Sequence, residues 1–256
     1  MIYVCITARN DAASVGLLLW KVRRVFSTFP RDYQLLVVDD GSTDGTGEVL
    51  ERYQRALPMT VFPCERPRGP AAALETLLRE ALARTDRPRR DAAILLPPDF
   101  SVSPDGLPDL VKRLESGADL VVGERLPHQG PFAWRTLARL APWLLRPGIR
   151  VPGVRDLLSG CVAVRLATVK ALLRDRDGRL LDGNGLAARA ELVARIAAVA
   201  RRTAAAALPP APVAQAAEQG RPLSLAFQLL RAGRTIRVKP ASSPPPAPEP
   251  VETAVS

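Results

Sequence analysis

Apolar and polar positions in the first half of the chain switch between two periods. Short apolar runs at Ile2–Ile6, Gln34–Val38, Met59–Pro63, Ala92–Leu96 and Asp119–Val122 read as strands. Between them lie stretches with helical spacing: Ala12–Phe26, with Val15, Leu18, Leu19, Val22 and Val25 on one face, then Thr46–Arg55, Ala71–Ala83 and Leu107–Leu114. Strands alternating with amphipathic helices form βαβ units, so the expected fold is α/β with a mostly parallel sheet flanked by helices. Ligands of such sheets bind beyond the carboxyl ends of the strands, where the strand order reverses. The loops Thr7–Asp11, Asp39–Thr46 and Pro97–Asp105 are therefore the candidate binding loops.

After Arg125 the pattern changes. Phe132–Leu145 is amphipathic, with Trp134, Leu137, Leu140, Leu144 and Leu145 set among Arg135, Arg139 and Arg146, and Pro142 bends or breaks it. Val151–Val164 reads as extended, Leu186–Ala207 as one long Ala/Arg-rich helix, and Leu223–Leu230 as an apolar helix. From Pro240 the composition is Pro-, Ser-, Ala- and Glu-rich, which predicts disorder. No apolar run reaches the ~18–20 residues that span a bilayer. The N-terminus enters an apolar strand without a cationic region and long apolar stretch, so no signal peptide is expected. The expected location is the cytoplasm, or the inner face of the membrane if Phe132–Leu145 makes a peripheral contact. The alternative for that segment is a helix packed on the sheet edge with its tryptophans buried.

Composition adds a little. Of 256 residues, 47% are hydrophobic and 24% charged, which is ordinary for a globular protein. The net charge of +10 comes almost wholly from Arg, since the lysines are only Lys21, Lys112, Lys170 and Lys239. Such a surface suits polyanions, although a codon bias toward Arg accounts for it equally well. Aromatic content of 5% and the lack of a recognition motif argue against nucleic acid. Cys5, Cys64 and Cys161 are isolated and read as free thiols of a reducing compartment.

The string Val37-Val38-Asp39-Asp40-Gly41-Ser42-Thr43-Asp44-Gly45-Thr46 ends an apolar strand in a pair of carboxylates and continues as a turn, with Asp44 or Thr46 placed to cap the next helix. A carboxylate there can accept hydrogen bonds from a nucleobase edge or a ribose hydroxyl. The whole string resembles the signature of family 2 glycosyltransferases. Ile6-Thr7-Ala8-Arg9-Asn10-Asp11 resembles the first loop of that family, usually Ile-Pro-Ala-Tyr-Asn-Glu, which packs around base and ribose. Arg9 stands where Tyr is usual and could stack on a base. Arg66-Pro67-Arg68-Gly69-Pro70-Ala71 resembles the segment that opens the third helix near the nucleotide.

Ile94-Leu95-Leu96-Pro97-Pro98-Asp99-Phe100-Ser101 resembles the strand that ends in Asp-x-Asp in the family, but Pro97 stands in place of the first Asp. Asp-x-Asp serves to hold a divalent cation that neutralises the departing diphosphate. Gly117-Ala118-Asp119-Leu120-Val121-Val122-Gly123-Glu124-Arg125 matches the Gly-Ala-Asp-x-Val-x-Gly-x-Arg of the family. Asp156-Leu157-Leu158-Ser159-Gly160 resembles its acceptor-side Asp-x-x-Ser-Gly. The Arg-x-x-Gly-x-Ser-Lys that closes its lipid-phosphate branch is poorly matched by Ala217–Leu223, where Arg221 is a possible substitute.

The resemblance implies a GT-A-type, Rossmann-like single domain with a helical C-terminal extension. Residues 1–125 would be the donor-binding half, 126–236 the acceptor-side half and extension, and 237–256 a disordered tail. It implies that Thr7, Arg9, Asp11, Val38, Asp39, Asp40, Arg68, Pro98, Asp99 and Arg125 bind the donor. It further implies that Asp99 ligates Mg²⁺ or Mn²⁺ and that Asp156 serves catalysis. The implied reaction is inverting transfer from a nucleoside diphosphate sugar to an acceptor such as a polyprenyl phosphate. A different class stays open beside it: a non-catalytic nucleotide-sugar-binding or scaffold protein, in which the base-side loops persist and the diphosphate machinery is eroded. The lone histidine, His128, lies in a Pro/Gly loop and reads as solvent-facing.

Overall fold

β1 (Ile2–Ala8) is apolar on both faces because it lies in the middle of a sheet covered on both sides. A computed structural model describes residues 1–125, 136, 140, 143–145, 148–149, 151–175, 180–183, 185–209, 222–236 and 238. The other strands are β2 (Tyr33–Asp39), β3 (Met59–Pro63), β4 (Ala92–Leu96), β5 (Leu120–Arg125), β6 (Val162–Arg165) and β7 (Thr203–Leu208). Together they form a seven-stranded sheet in the order β3-β2-β1-β4-β6-β5-β7. β1 pairs in parallel with both β2 and β4, and β7 in parallel with β5, while β6 runs antiparallel between β4 and β5. The chain winds outward from β1 to β3 and then crosses back to β4. The order thus reverses between β1 and β4, which opens a crevice at their carboxyl ends.

Helices α1 (Val15–Thr28), α2 (Thr46–Gln54), α3 (Pro70–Arg84), α4 (Leu107–Glu115), α5 (Leu166–Asp175), α6 (Leu186–Val199) and α7 (Pro222–Thr235) complete the fold. Side chains of β1 alternate between two cores. Val4 and Ile6 join Leu18, Leu19 and Val22 of α1 and Leu110 of α4 on one face. Tyr3 and Cys5 join Leu74, Leu77 and Leu78 of α3 and Leu192, Val193 and Ile196 of α6 on the other. Burial pushes the Cys161 thiol up to about 12 and raises that of Cys5 as well. Both are inert core residues, and all three cysteines are free.

The structure corrects the reading of Leu186–Ala207 as one helix. The helix ends at Val199, Ala200 is extended, and Thr203–Leu208 is a strand despite its run of alanines. Helix propensity is a weak prior that tertiary context overrides. Here β5 needs a partner along its open edge, and Arg201 N–H donates to Asp119 Oδ2 at 3.0 Å, docking the turn against that strand. Gly123 leaves the space that Leu208 fills, since a Cβ there would lie 2.7 Å from the Leu208 side chain. Within the segment expected to be extended, only Val162–Arg165 is strand, and α5 was not anticipated.

A buried ionic knot also escaped the sequence reading. Glu191 is fully buried, accepts from Asp182 N at 3.0 Å and Gly183 N at 2.7 Å, and pairs with Arg195 one turn later. It clamps the loop that leads into α6 and so sets where the first turn of that helix lies.

Among the described residues no helix is long and apolar enough to cross a membrane. Leu140 and Trp143 are exposed and Leu145 is buried. Phe132, Trp134, Arg135, Leu137, Arg139, Pro142 and Arg146, like His128 and Arg221, lie outside the described residues.

Candidate functional site

The loops after β1 and β2 are tied into one unit. Asn10 adopts a left-handed backbone (φ 56°). Its Oδ1 accepts from Thr43 N at 2.9 Å, and its own N–H donates to Ser42 Oγ at 3.1 Å. Asp11 N donates to Thr46 Oγ1 at 2.9 Å, and Ala12 N to Asp44 Oδ2 at 3.2 Å. Asp44 in turn accepts from Thr46 N at 3.0 Å and so satisfies the start of α2. Thr7 is half-buried at the end of β1, and Arg9 is exposed.

Asp39 and Asp40 end β2, and their carboxylates turn to different partners. Asp39 Oδ1 accepts from Ser42 N at 3.0 Å and Ser42 Oγ at 2.5 Å. Asp40 accepts from Arg68 N at 2.6 Å and Gly69 N at 2.9 Å, so it holds the loop that opens α3 while the Arg68 side chain stays exposed. The Val38 side chain is packed in the core.

At the carboxyl end of β4, Pro97 and Pro98 are buried and offer no ligating group. Asp99 follows, its Oδ1 accepting from Ser101 N at 2.9 Å, with Phe100 held left-handed (φ 55°) between them. The Ser101 hydroxyl is buried with no hydrogen-bond partner among the described residues. Across the crevice Arg125 and Asp156 face each other in a bidentate pair, Nε to Oδ2 at 2.8 Å and Nη2 to Oδ1 at 3.3 Å. Asp156 also accepts from Leu158 N at 3.1 Å.

One residue of the site was not singled out from sequence. Arg189, in the first turn of α6, reaches into a cavity of about 20 Å³ whose lining includes Thr7, Pro97, Gly160, Leu192 and Val193. That volume holds about one water molecule. Burial lowers the Arg189 pKa from its usual value, Asp99 and Asp11 oppose the shift, and the neighbouring Arg125 adds to it. Burial likewise raises the pKa of Asp11, with Asp99 and Asp44 adding to the rise while Arg9 N–H and Arg189 oppose it. Asp11, Asp99, Arg125 and Arg189 therefore share one electrostatic environment. The signal was available: Arg189 precedes Leu192 and Val193 by three and four residues, which puts a cation on the apolar face of a helix.

No group of three or more His, Cys, Asp or Glu side chains able to hold a metal ion occurs among the described residues. The donor set beyond β4 is a single carboxylate with one oxygen already engaged.

The family model described as glycosyl transferase family 2 matches residues 3–170. The chain belongs to glycosyl transferase family 2. Among curated members, it is 30% identical over 184 residues to an undecaprenyl-phosphate 4-deoxy-4-formamido-L-arabinose transferase of Pseudomonas paraeruginosa, covering 69% of this chain and 50% of that protein. It is 26% identical over 149 residues to a dolichol-phosphate mannosyltransferase of Pyrococcus furiosus, covering 55% of this chain and 40% of that one. The chain thus spans half or less of the length of these two relatives. Glucosyl-3-phosphoglycerate synthase of Mycobacterium tuberculosis matches with a TM-score of 0.59 at 21% identity, over 91% of this chain and 78% of that one. That synthase has also been solved with Mn²⁺, UDP and glucosyl-3-phosphoglycerate. The sheet and flanking helices of this family 2 chain are those of the GT-A-type fold.

Proposed function

We propose that this family 2 protein transfers a sugar from a nucleoside diphosphate sugar to an anionic lipid phosphate, with inversion at the anomeric carbon. The observation that carries this reading is the convergence at the switch point between β1 and β4. The braced loops Thr7–Asp11, Asp39–Asp44 and Arg66–Gly69 lie on one side of it, and the charged groups Asp99, Arg125 and Arg189 on the other. The braced side suits a base and ribose, with Asp39 Oδ2 and the exposed Arg9 available to them. The charged side suits the diphosphate and the sugar.

In an inverting transfer, an acceptor oxygen attacks the anomeric carbon as its bond to the diphosphate breaks. The electron pair leaves with the nucleoside diphosphate, and charge build-up on that group is what the protein must stabilise. A phosphate acceptor is already anionic and needs no strong base. This agrees with Asp156, whose oxygens are engaged by Arg125 and Leu158 N and whose role is to aim Arg125. A hydroxyl acceptor would require Asp156 to leave that pair and act as base. The two curated relatives are named for undecaprenyl and dolichol phosphates, which supports the acceptor class.

If a divalent cation takes part, as the Mn²⁺ in the synthase complex suggests, Asp99 and the diphosphate itself would hold it, since Mg²⁺ is often bound through only one or two protein carboxylates plus substrate phosphates. Pro97 and the sparse donor set also favour a second reading, a nucleotide-sugar-binding protein without turnover. Mixing the full chain with radiolabelled UDP- and GDP-sugars and undecaprenyl phosphate separates the two. Label in the organic phase supports transfer, and saturable donor binding with no labelled lipid supports the binding protein. Failure to bind any donor sinks both.

A further inference from the structure

The diphosphate end of the crevice has to neutralise about two negative charges, yet β4 ends in two prolines and a single carboxylate. Positive charge is nevertheless present. The Arg189 side chain crosses from α6 over Gly160, a left-handed glycine (φ 72°). A Cβ on Gly160 would lie 3.0 Å from Arg189 Nη1 and 3.1 Å from Pro97 Cγ. The guanidinium therefore occupies the space that a missing side chain opens at residue 160, directly against the proline that ends β4. Its charged neighbours are Asp99, Asp11 and Arg125. The carboxylates act on it as charges at a distance, without a hydrogen bond. Among the described residues no hydrogen-bond partner takes the guanidinium N–H groups, which leaves them to serve an incoming group. Arg189 and the Asp156-paired Arg125, both half-buried, lie close enough for their charges to act on each other. Planar guanidinium forks match phosphate oxygens in pairs.

We propose that Arg189 takes the place of the carboxylate-held divalent cation, donating directly to the diphosphate of the donor and stabilising it as it leaves. This rests on the donor-cleft reading above. In the step itself the acceptor oxygen bonds to the anomeric carbon, the carbon–oxygen bond to the diphosphate breaks, and the departing oxygens accept hydrogen bonds from Arg189. The arginine stays protonated throughout, so it supplies charge and no proton. The site then binds and discharges a nucleoside diphosphate without metal, with Asp99 and Asp11 orienting the guanidinium. The glycine at 160 is part of the device, because any side chain there would push the cation away from Pro97.

Calorimetric titration of the full chain with UDP, GDP, uridine and guanosine, each in EDTA and again in Mn²⁺, tests this. The wild-type protein is expected to bind a diphosphate with less than about twofold change between the two buffers. Arg189→Gln should lose about tenfold or more for the diphosphate, the weight of one charge-assisted pair, and almost nothing for the matching nucleoside. Nucleoside binding doubles as the check that the variant is folded, and Arg189→Lys should recover part of the loss. A strict Mn²⁺ requirement in the wild type, or diphosphate binding by Arg189→Gln equal to or tighter than wild type, overturns the proposal while leaving the donor cleft intact. If the wild type binds none of the four probes, the donor-cleft reading itself is wrong.

Discussion

The loops after β1 and β2 and the loop after β4 meet at one crevice but are built differently. The first pair is cross-braced by Asn10, Asp11, Ala12, Ser42, Thr43 and Thr46, and Asp40 extends the bracing to Arg68 and Gly69. The segment after β4 is held by local bonds, Ser101 N to Asp99 and Ser103 Oγ to Asp105, and the buried Ser101 hydroxyl has no partner among the described residues. Opposite it stand Arg125, fastened to Asp156, and Arg189, which is not fastened at all through hydrogen bonds to its carboxylate neighbours. The braced side has its geometry before any ligand arrives, which suits recognition of a base and ribose. The charged side sets Arg125 and Arg189 close together among Asp99, Asp11 and Asp156, which suits a group whose charge can be shared between the two cations. Substitutions on the braced side should therefore cost stability first, and those on the charged side should cost ligand affinity first.

The strongest test of that contrast is Gly41→Ala. Gly41 is left-handed (φ 67°) and a Cβ there would lie 2.8 Å from Pro67 N and 2.9 Å from Arg66 C, both backbone. Backbone cannot step aside as a flexible side chain can, so chemical denaturation should show a loss of about 3 kcal/mol. A loss below about 1 kcal/mol would mean that the two loops are not rigidly coupled.

Asp40→Ala comes next. It leaves the amides of Arg68 and Gly69 without their acceptor, at a cost of about 2 kcal/mol. Protease cleavage in Arg66–Gly69 should speed up in step. If stability falls but cleavage does not change, Asp40 is not what orders that loop.

On the charged side the effects on folding should be smaller. Arg125→Ala and Asp156→Ala should each cost about 1 kcal/mol, since the pair is partly exposed and solvent screens it. The double variant should cost little more than either single one. Additive losses would mean that the two residues serve separate roles, with Asp156 free to act as base.

The smallest effect, and one of opposite sign, concerns Asp11→Asn. Burial, with Asp99 and Asp44, raises the Asp11 carboxyl above its usual value. A carboxyl with a raised folded pKa stabilises the fold fully below about pH 4, its unfolded value, and loses that contribution as pH rises through the folded value. The Asn variant should therefore melt slightly higher than wild type at pH 7, with the gap closing toward pH 4. A variant less stable at pH 7 would show that the bond from Arg9 N, at 2.8 Å, outweighs the burial of the charge.

Period alone determined the first half of this protein. Each strand from β1 to β5 and each helix from α1 to α4 lies within a few residues of where the apolar pattern put it, because each buries one stripe or face against its sequence neighbours. The motif residues could be named for the same reason, since they end those strands. Tertiary structure decided the rest. Thr203–Leu208 is helical by propensity and a strand in fact, because an open β5 edge and the gap at Gly123 reward pairing over local preference. Arg125 and Asp156 carry separate labels in sequence and form one ion pair in space. Arg189 lies 92 positions beyond Pro97 in the chain, yet the buried Glu191 knot and the glycine at 160 bring it against that proline. Such long-range juxtapositions leave no periodic trace, because their partners lie on elements that meet only when the sheet closes.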